Sequence, residues 1–140
     1  MLVSAVNSAG DILGVAAPDT DALIELLREG LPVSSFEALQ VRLGWSRSAL
    51  ADALRIPERT LMRRYKQGRF SLEESQHLLR LARIVAQGEE LFSHTHRLGA
   101  WLREPVRGLG NKRPIDYLDT DIGAEEVEDL IMRLLHGIVT

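Results

Sequence analysis

The stretch Ser46 to Gly68, SRSALADALRIPERTLMRRYKQG, holds two short amphipathic patterns joined by Arg55-Ile56-Pro57-Glu58. Leu50, Ala51 and Leu54 share one face of the first pattern, Ile56 plugs the turn, and Leu61 and Tyr65 anchor the second. The small Ala51 lets the two helices cross closely. This is the layout of a helix-turn-helix, in which the second helix enters the major groove of DNA. On that layout the second helix presents Arg59, Thr60, Arg63 and Arg64, with Lys66 and Arg69 behind them. An Arg fork takes both acceptors on a guanine edge, and Thr can bond either way or touch a thymine methyl. Arg47 and the helix N-termini suit phosphates. The turn often carries Gly where this chain has Arg55, so Arg55 must accept a backbone conformation that Gly takes more easily. Two plainer readings compete: a helical hairpin with a solvated basic face, and a motif turned to protein contact.

Charge is segregated around this stretch. Residues 42–69 hold eight basic side chains, six of them the Arg and Lys named above plus Arg42 and Arg55, against only Asp52 and Glu58. Residues 1–41 hold Arg28 against six acids, residues 70–110 balance, and residues 111–140 are acidic again, for a net charge of -3. A uniformly solvated surface mixes the signs more evenly.

Along the remaining chain the periodicity is helical throughout, and the fold class is all-α. The first 17 residues lack a period and read as a flexible arm, 18–70 as the helix-turn-helix module, and 71–140 as a second helical module. Asp19-Thr20-Asp21 caps a helix with Leu23, Leu26 and Leu27 on one face, ending near Gly30. Ser34 or Ser35 caps the next, through Phe36, Leu39 and Leu43. Ser71-Leu72-Glu73-Glu74 is a capping-box pattern that opens a helix carrying Leu78, Leu81, Ala82 and Val85. Pro114 suits the first turn of a short helix over 114–118. The last helix, over about 123–136, repeats Val127, Leu130, Ile131, Leu134 and Leu135.

The 140 residues are 45% hydrophobic and 26% charged, ordinary for a globular domain. No window approaches the roughly 18–20 apolar residues of a membrane span, and the N-terminus lacks a basic n-region. The chain has no cysteine, which excludes disulfides and thiolate chemistry and suits the cytoplasm. There is no GxGxxG, P-loop, HExxH or Ser-His-Asp order. His94 and His96 lack a third metal ligand at useful spacing, and the Glu73-Glu74 and Glu89-Glu90 pairs read as caps and solvated faces. No enzyme, cofactor or metal is expected. Trp45 and Trp101 read as core, His77 and His136 as helix surface.

Residues 100–137, AWLREPVRGLGNKRPIDYLDTDIGAEEVEDLIMRLLHG, carry more than a linker needs. A Trp-Leu helix end, Pro105, a Leu109-Gly110 turn, Pro114, Asp116, Leu118, Thr120, Gly123 and a final amphipathic helix closed by Gly137 follow in order. This order resembles the toxin-binding domain of the MbcA/ParS/Xre antitoxin family, whose usual N-terminal partner is a helix-turn-helix. The resemblance covers roughly residues 20–140. Val106 stands where Asn often follows the Pro, Asn111 where a second Gly is frequent, and Tyr117 where Leu is common. Asn tolerates a left-handed backbone.

The resemblance implies an antitoxin without catalysis of its own. It implies a cognate RES-domain toxin that consumes NAD or transfers from it, operator DNA for autorepression, and a homodimer. For several members it also implies that the C-terminus enters the toxin's NAD pocket. Here the tail is Ile138-Val139-Thr140, two apolar residues and a carboxylate, suited to a concave site; a frayed terminus is the plainer reading. Arg113, Asp116 and Tyr117 are expected on the outer face of the 114–118 turn, as toxin contacts or as an Arg113–Asp116 ion pair that only holds the turn. A helix-turn-helix regulator without a toxin partner is the alternative reading, and a helix-turn-helix kept only for toxin contact is a third.

Overall fold

The computed structural model describes residues 8–92 and 95–137, and its regular elements are all helical. A short α1 (8–12) precedes α2 (Thr20–Glu29), α3 (Val33–Leu43), α4 (Arg47–Ala53) and α5 (Glu58–Gln67). Then come the long α6 (Leu72–Leu91), α7 (Thr95–Leu102), two 3-10 turns (Arg107–Leu109 and Pro114–Tyr117) and α8 (Asp121–Leu135).

Local chemistry sets most of the boundaries. Asp19 accepts from the Ala22 amide at 2.8 Å, Ser46 from Ala49 at 3.1 Å and Thr120 from Gly123 at 2.9 Å, each filling one orphan amide of a helix start. The capping box closes from both sides: Ser71 Oγ takes the Glu74 amide at 3.1 Å, and Glu74 takes the Ser71 amide at 2.8 Å. Thr120 starts α8 two residues earlier than the apolar repeat suggests.

Two expectations fail here, and they fail together. The residues from 8 to 17 are not a free arm. Ala9, Ile12 and Leu13 are buried in the core. Ser35, expected as a cap, lies inside α3 and is fully buried, its hydroxyl donating to the Leu13 carbonyl at 2.8 Å. The start of α3 is satisfied instead by tertiary structure, with the Val33 amide donating to the Gly68 carbonyl at 3.1 Å. A ten-residue stretch with only three buried side chains shows no period, so its burial left no pattern to read.

Helix α6 is the spine. It packs against α2, α3, α7 and α8, burying Leu78, Leu81, Ala82, Ile84 and Val85. Polar groups fix α8 along it. Arg80 reaches Asp121 at 2.7 Å and the Leu118 carbonyl at 3.0 Å, while Arg83 and Gln87 converge on Glu128 at 3.5 and 3.2 Å. The core is continuous from Ala9 to Ile131, so the two helical modules share one interior.

Close approaches join the modules. A Cβ on Gly99 would lie 2.3 Å from the Leu43 carbonyl oxygen, so α7 touches the end of α3 through bare backbone. Trp45 Nε1 donates to the Gly99 carbonyl at 3.1 Å, and the indole is 6% exposed. No helix among the described residues is long and apolar enough to cross a membrane.

Candidate functional site

The helix-turn-helix stands as α4 and α5. Leu50, Ala51, Leu54, Ile56 and Leu61 are buried between them and the rest of the core. Arg55 has φ +58°, the left-handed conformation that the turn demands and Gly would take more easily. The turn is held around it: the Ile56 amide donates to the Ala51 carbonyl at 2.9 Å, and His77 Nδ1 lies 3.1 Å from the Leu54 carbonyl. His77 is thus a half-buried strut between α6 and the turn, not a plain surface residue. Arg55 also reaches Asp119 at 3.7 Å, beside the second 3-10 turn.

The outer face of α5 is open. Glu58, Arg59, Met62, Arg63 and Lys66 line a shallow groove of about 550 Å³, with Thr60 half-buried beside them. Arg59, Arg63 and Lys66 are exposed. Arg47 is exposed at the start of α4 and sits 3.3 Å from Glu58, a solvated pair.

Arg64 is the exception among the expected base readers. Its guanidinium turns toward α6, donating to Glu74 at 2.7 and 3.2 Å and to Gln67 at 2.9 Å. The bond to Glu74 raises the Arg64 pKa further. Burial pushes the Glu74 carboxyl up, but the bonds from Arg64 and the Ser71 amide outweigh it and leave the group below its usual range. Arg64 sits one turn beyond Thr60 on the inward side of α5, and a carboxylate waits there. Arg69 is likewise engaged, donating to the Gly30 carbonyl at 2.7 Å. Burial, with Glu37 nearby, raises the Tyr65 phenol above its ordinary value.

The segment after α7 folds as two tight turns, the first clasped by an antiparallel bridge between Val106 and Lys112. Asn111 has φ +64°, matching the left-handed role of the glycine it replaces. Pro114 and Leu118 are buried and Ile115 half-buried. Arg113 and Asp116 form a bidentate pair, both bonds 3.0 Å, with each side chain about half exposed at 46% and 47%. Hydrogen bonding to Asp116 raises the Arg113 pKa. Tyr117 departs from the expected outward pose. It is half-buried against the core and its hydroxyl donates to the Leu109 carbonyl at 3.2 Å. Ile138, Val139, Thr140 and His94 lie outside the described residues.

Trp101 is half-buried against Phe92, their ring centroids 5.7 Å apart. Between α7 and the α3–α4 connection lies a cleft of about 440 Å³ bounded by Trp45, His96, Gly99, Arg103, Glu104 and Arg113. Arg103, which no motif pointed to, is exposed, with its guanidinium carbon 5.7 Å from the Trp45 ring centroid. Its signal was hidden in the charge count. Arg97, Arg103, Arg107, Lys112 and Arg113 stand against only Glu104 over residues 96–113, but the acids of α6 offset the three arginines within 70–110, and those of α8 offset Lys112 and Arg113 within 111–140.

Comparison with known proteins bears on both surfaces. Residues 22–83 match the model of the antitoxin Xre-like helix-turn-helix domain, and residues 87–137 match that of the antitoxin Xre/MbcA/ParS C-terminal toxin-binding domain. An Antitoxin Xre of Photorhabdus laumondii is 38% identical over 120 residues, spanning 82% of this chain and 79% of its own. An Antitoxin Xre of Yersinia enterocolitica is 32% identical over 128 residues, spanning 90% and 86%. A Sphingobium protein named Prs ADP-ribosylating antitoxin is 27% identical over 124 residues, spanning 81% and 78%.

Proposed function

The chain belongs to the Xre/MbcA/ParS antitoxin family, and from that premise we propose that it neutralises a RES-domain toxin that consumes NAD or transfers from it. In this reading it also represses its own operon through α5 and has no catalysis of its own. The observation that carries the proposal is the joining, on one continuous core, of an open basic recognition helix to a segment matching a toxin-binding domain. The Sphingobium relative's name speaks of ADP-ribosylation, a transfer that draws on NAD, and this favours an NAD-directed toxin.

The division of labour gives residues 18–70 to DNA and 71–140 to the toxin, with α6 as the shared spine. Arg47, Arg59, Thr60, Arg63 and Lys66 meet the operator. A homodimer presents two such helices to half-sites about 34 Å apart or a multiple of that. The exposed Arg113–Asp116 pair lies on the toxin side, and Ile138-Val139-Thr140 occupies the toxin's NAD pocket. The reading places the protein in the cytoplasm, where its NAD-using target works.

The test is NAD content and growth in cells expressing the adjacent reading frame, with and without this chain. A fall in NAD that this chain reverses supports the proposal. A harmless neighbour, with NAD unchanged, turns the reading to a transcriptional regulator whose C-terminal helices serve another purpose.

A further inference from the structure

We infer that the cleft between α7 and the α3–α4 connection is a second DNA contact, in which Arg103 of the toxin-binding segment holds a backbone phosphate. The inference rests on the DNA-binding half of the reading above and amends its division of labour at one residue, moving Arg103 from the toxin to DNA.

Arg103 is held in a way that suits an anion. Its guanidinium lies over the Trp45 ring, and the ring is fixed from behind by the bond from its Nε1 to the Gly99 carbonyl. An arginine over an aromatic face is attracted by the ring quadrupole while its planar fork of N–H donors stays available, and that fork fits phosphate oxygens. Among the described residues Arg103 has no carboxylate partner, whereas Arg42, Arg47, Arg55, Arg64, Arg80 and Arg113 each have one. Glu104 borders the same cleft, and Arg113 and the His96 ring border it from other sides.

Position selects DNA over another anion. The cleft wall formed by Leu43, Gly44 and Trp45 runs directly into Ser46, the cap of α4, and then Arg47. In a helix-turn-helix the first helix crosses the phosphate backbone while the second enters the groove. An anion beside the start of α4 therefore lies along the expected path of that backbone. Of the five basic residues over 96–113, Arg103 and Arg113 line this cleft beside Leu43, Gly44 and Trp45.

The experiment is fluorescence anisotropy of the full chain on a labelled duplex spanning the region upstream of its own gene, across a salt series. A scrambled duplex is run beside it. Arg103→Gln is expected to weaken binding several-fold on both duplexes and to reduce the slope of log K against log salt by about one, as one lost phosphate contact should. Arg103→Lys is expected to keep the slope. Arg63→Ala serves as the reference and weakens the operator more than the scrambled duplex. An unchanged slope in a folded Arg103→Gln protein, with Arg63→Ala still impaired, overturns this inference alone. If Arg103→Gln instead abolishes neutralisation and leaves the slope intact, the anion is a toxin carboxylate and the inference is wrong. If the unaltered chain binds neither duplex, this contact and the operator reading fall together.

Discussion

Arg64 of the recognition helix and Glu74 of the spine helix share two hydrogen bonds, Nε to Oε1 at 2.7 Å and Nη2 to Oε2 at 3.2 Å. The same carboxylate receives the Ser71 amide at 2.8 Å. One side chain thus closes the capping box of α6 and fixes the angle at which α5 leaves it.

Glu74→Gln tests that joint. A glutamine keeps the reach to the Ser71 amide but loses the charge that Arg64 requires. With both partners under one-fifth exposed, the loss at neutral pH should be about 1.5–3 kcal/mol, the range for hydrogen bonds to charged groups. The pH dependence has a definite sign. The folded carboxyl titrates below its unfolded value, so its contribution is complete above the ordinary carboxylate pKa of roughly 4.3 and is lost as pH falls through the depressed folded value. Urea denaturation of both proteins should give a constant gap above about pH 5.5 that closes in more acid solution. A gap that widens in acid would contradict this account.

Arg63 and Arg64 are adjacent in sequence and should separate in function. Arg63→Ala removes an exposed donor and should weaken operator binding by roughly 1–3 kcal/mol if it reads a base, with no change in melting temperature and neutralisation intact. Arg64→Ala leaves Glu74 without its cation and should lower stability first. Equal losses of operator binding at equal melting temperature for the two variants would return Arg64 to the DNA face.

Arg55 offers a stabilising change. A left-handed backbone costs an L-residue roughly 1–2 kcal/mol that Gly does not incur. Against this stand the greater unfolded freedom of Gly and a solvated contact to Asp119 at 3.7 Å, worth little. Arg55→Gly should raise the melting temperature by about 2–4 °C. A lower melting temperature would show that the Asp119 contact outweighs the strain.

Gly99→Ala should do the opposite. The added methyl meets the Leu43 carbonyl at 2.3 Å and Trp45 Nε1 at 2.9 Å, both held by surrounding structure. Relief means moving α7 off α3, with an expected loss of about 2–3 kcal/mol. Loss of the Trp45–Gly99 bond should appear as a change in Trp fluorescence in a Trp101→Phe background. Unchanged stability and fluorescence would mean that α7 does not sit against α3 as described.

These residues also show what a sequence discloses. Caps at Asp19 and Ser71, the αL positions at Arg55 and Asn111, and the apolar stripe of α8 are local, and local chemistry writes itself into residue order. The joints are not local. Ser35 to Leu13, Arg64 to Glu74, His77 to Leu54 and Tyr117 to Leu109 each bind a polar group to a partner fixed only by folding. A basic residue on a recognition helix reads as a DNA contact until a carboxylate is found in its path, and an aperiodic start reads as an arm until its three apolar residues are found buried.

The tail carries the most separable prediction. Helix α8 makes its last bonds at His136 and Gly137, whose amides donate to the Met132 and Leu134 carbonyls, and Gly137 has φ +74°. Regular helix thus ends at Leu135 with His136 as its cap, and the change to make is truncation after Gly137. If Ile138 and Val139 fill an apolar pocket on the toxin, each contributes on the order of 1.5–3 kcal/mol, so truncation after Gly137 should weaken neutralisation at least tenfold. Operator binding should be unaffected, because α5 lies at the other end of the spine helix. Ile138→Asp should reproduce the loss without shortening the chain. Titrating toxin activity with each variant decides the matter: undiminished inhibition removes the tail from the toxin's pocket and leaves the Arg113–Asp116 surface to account for recognition.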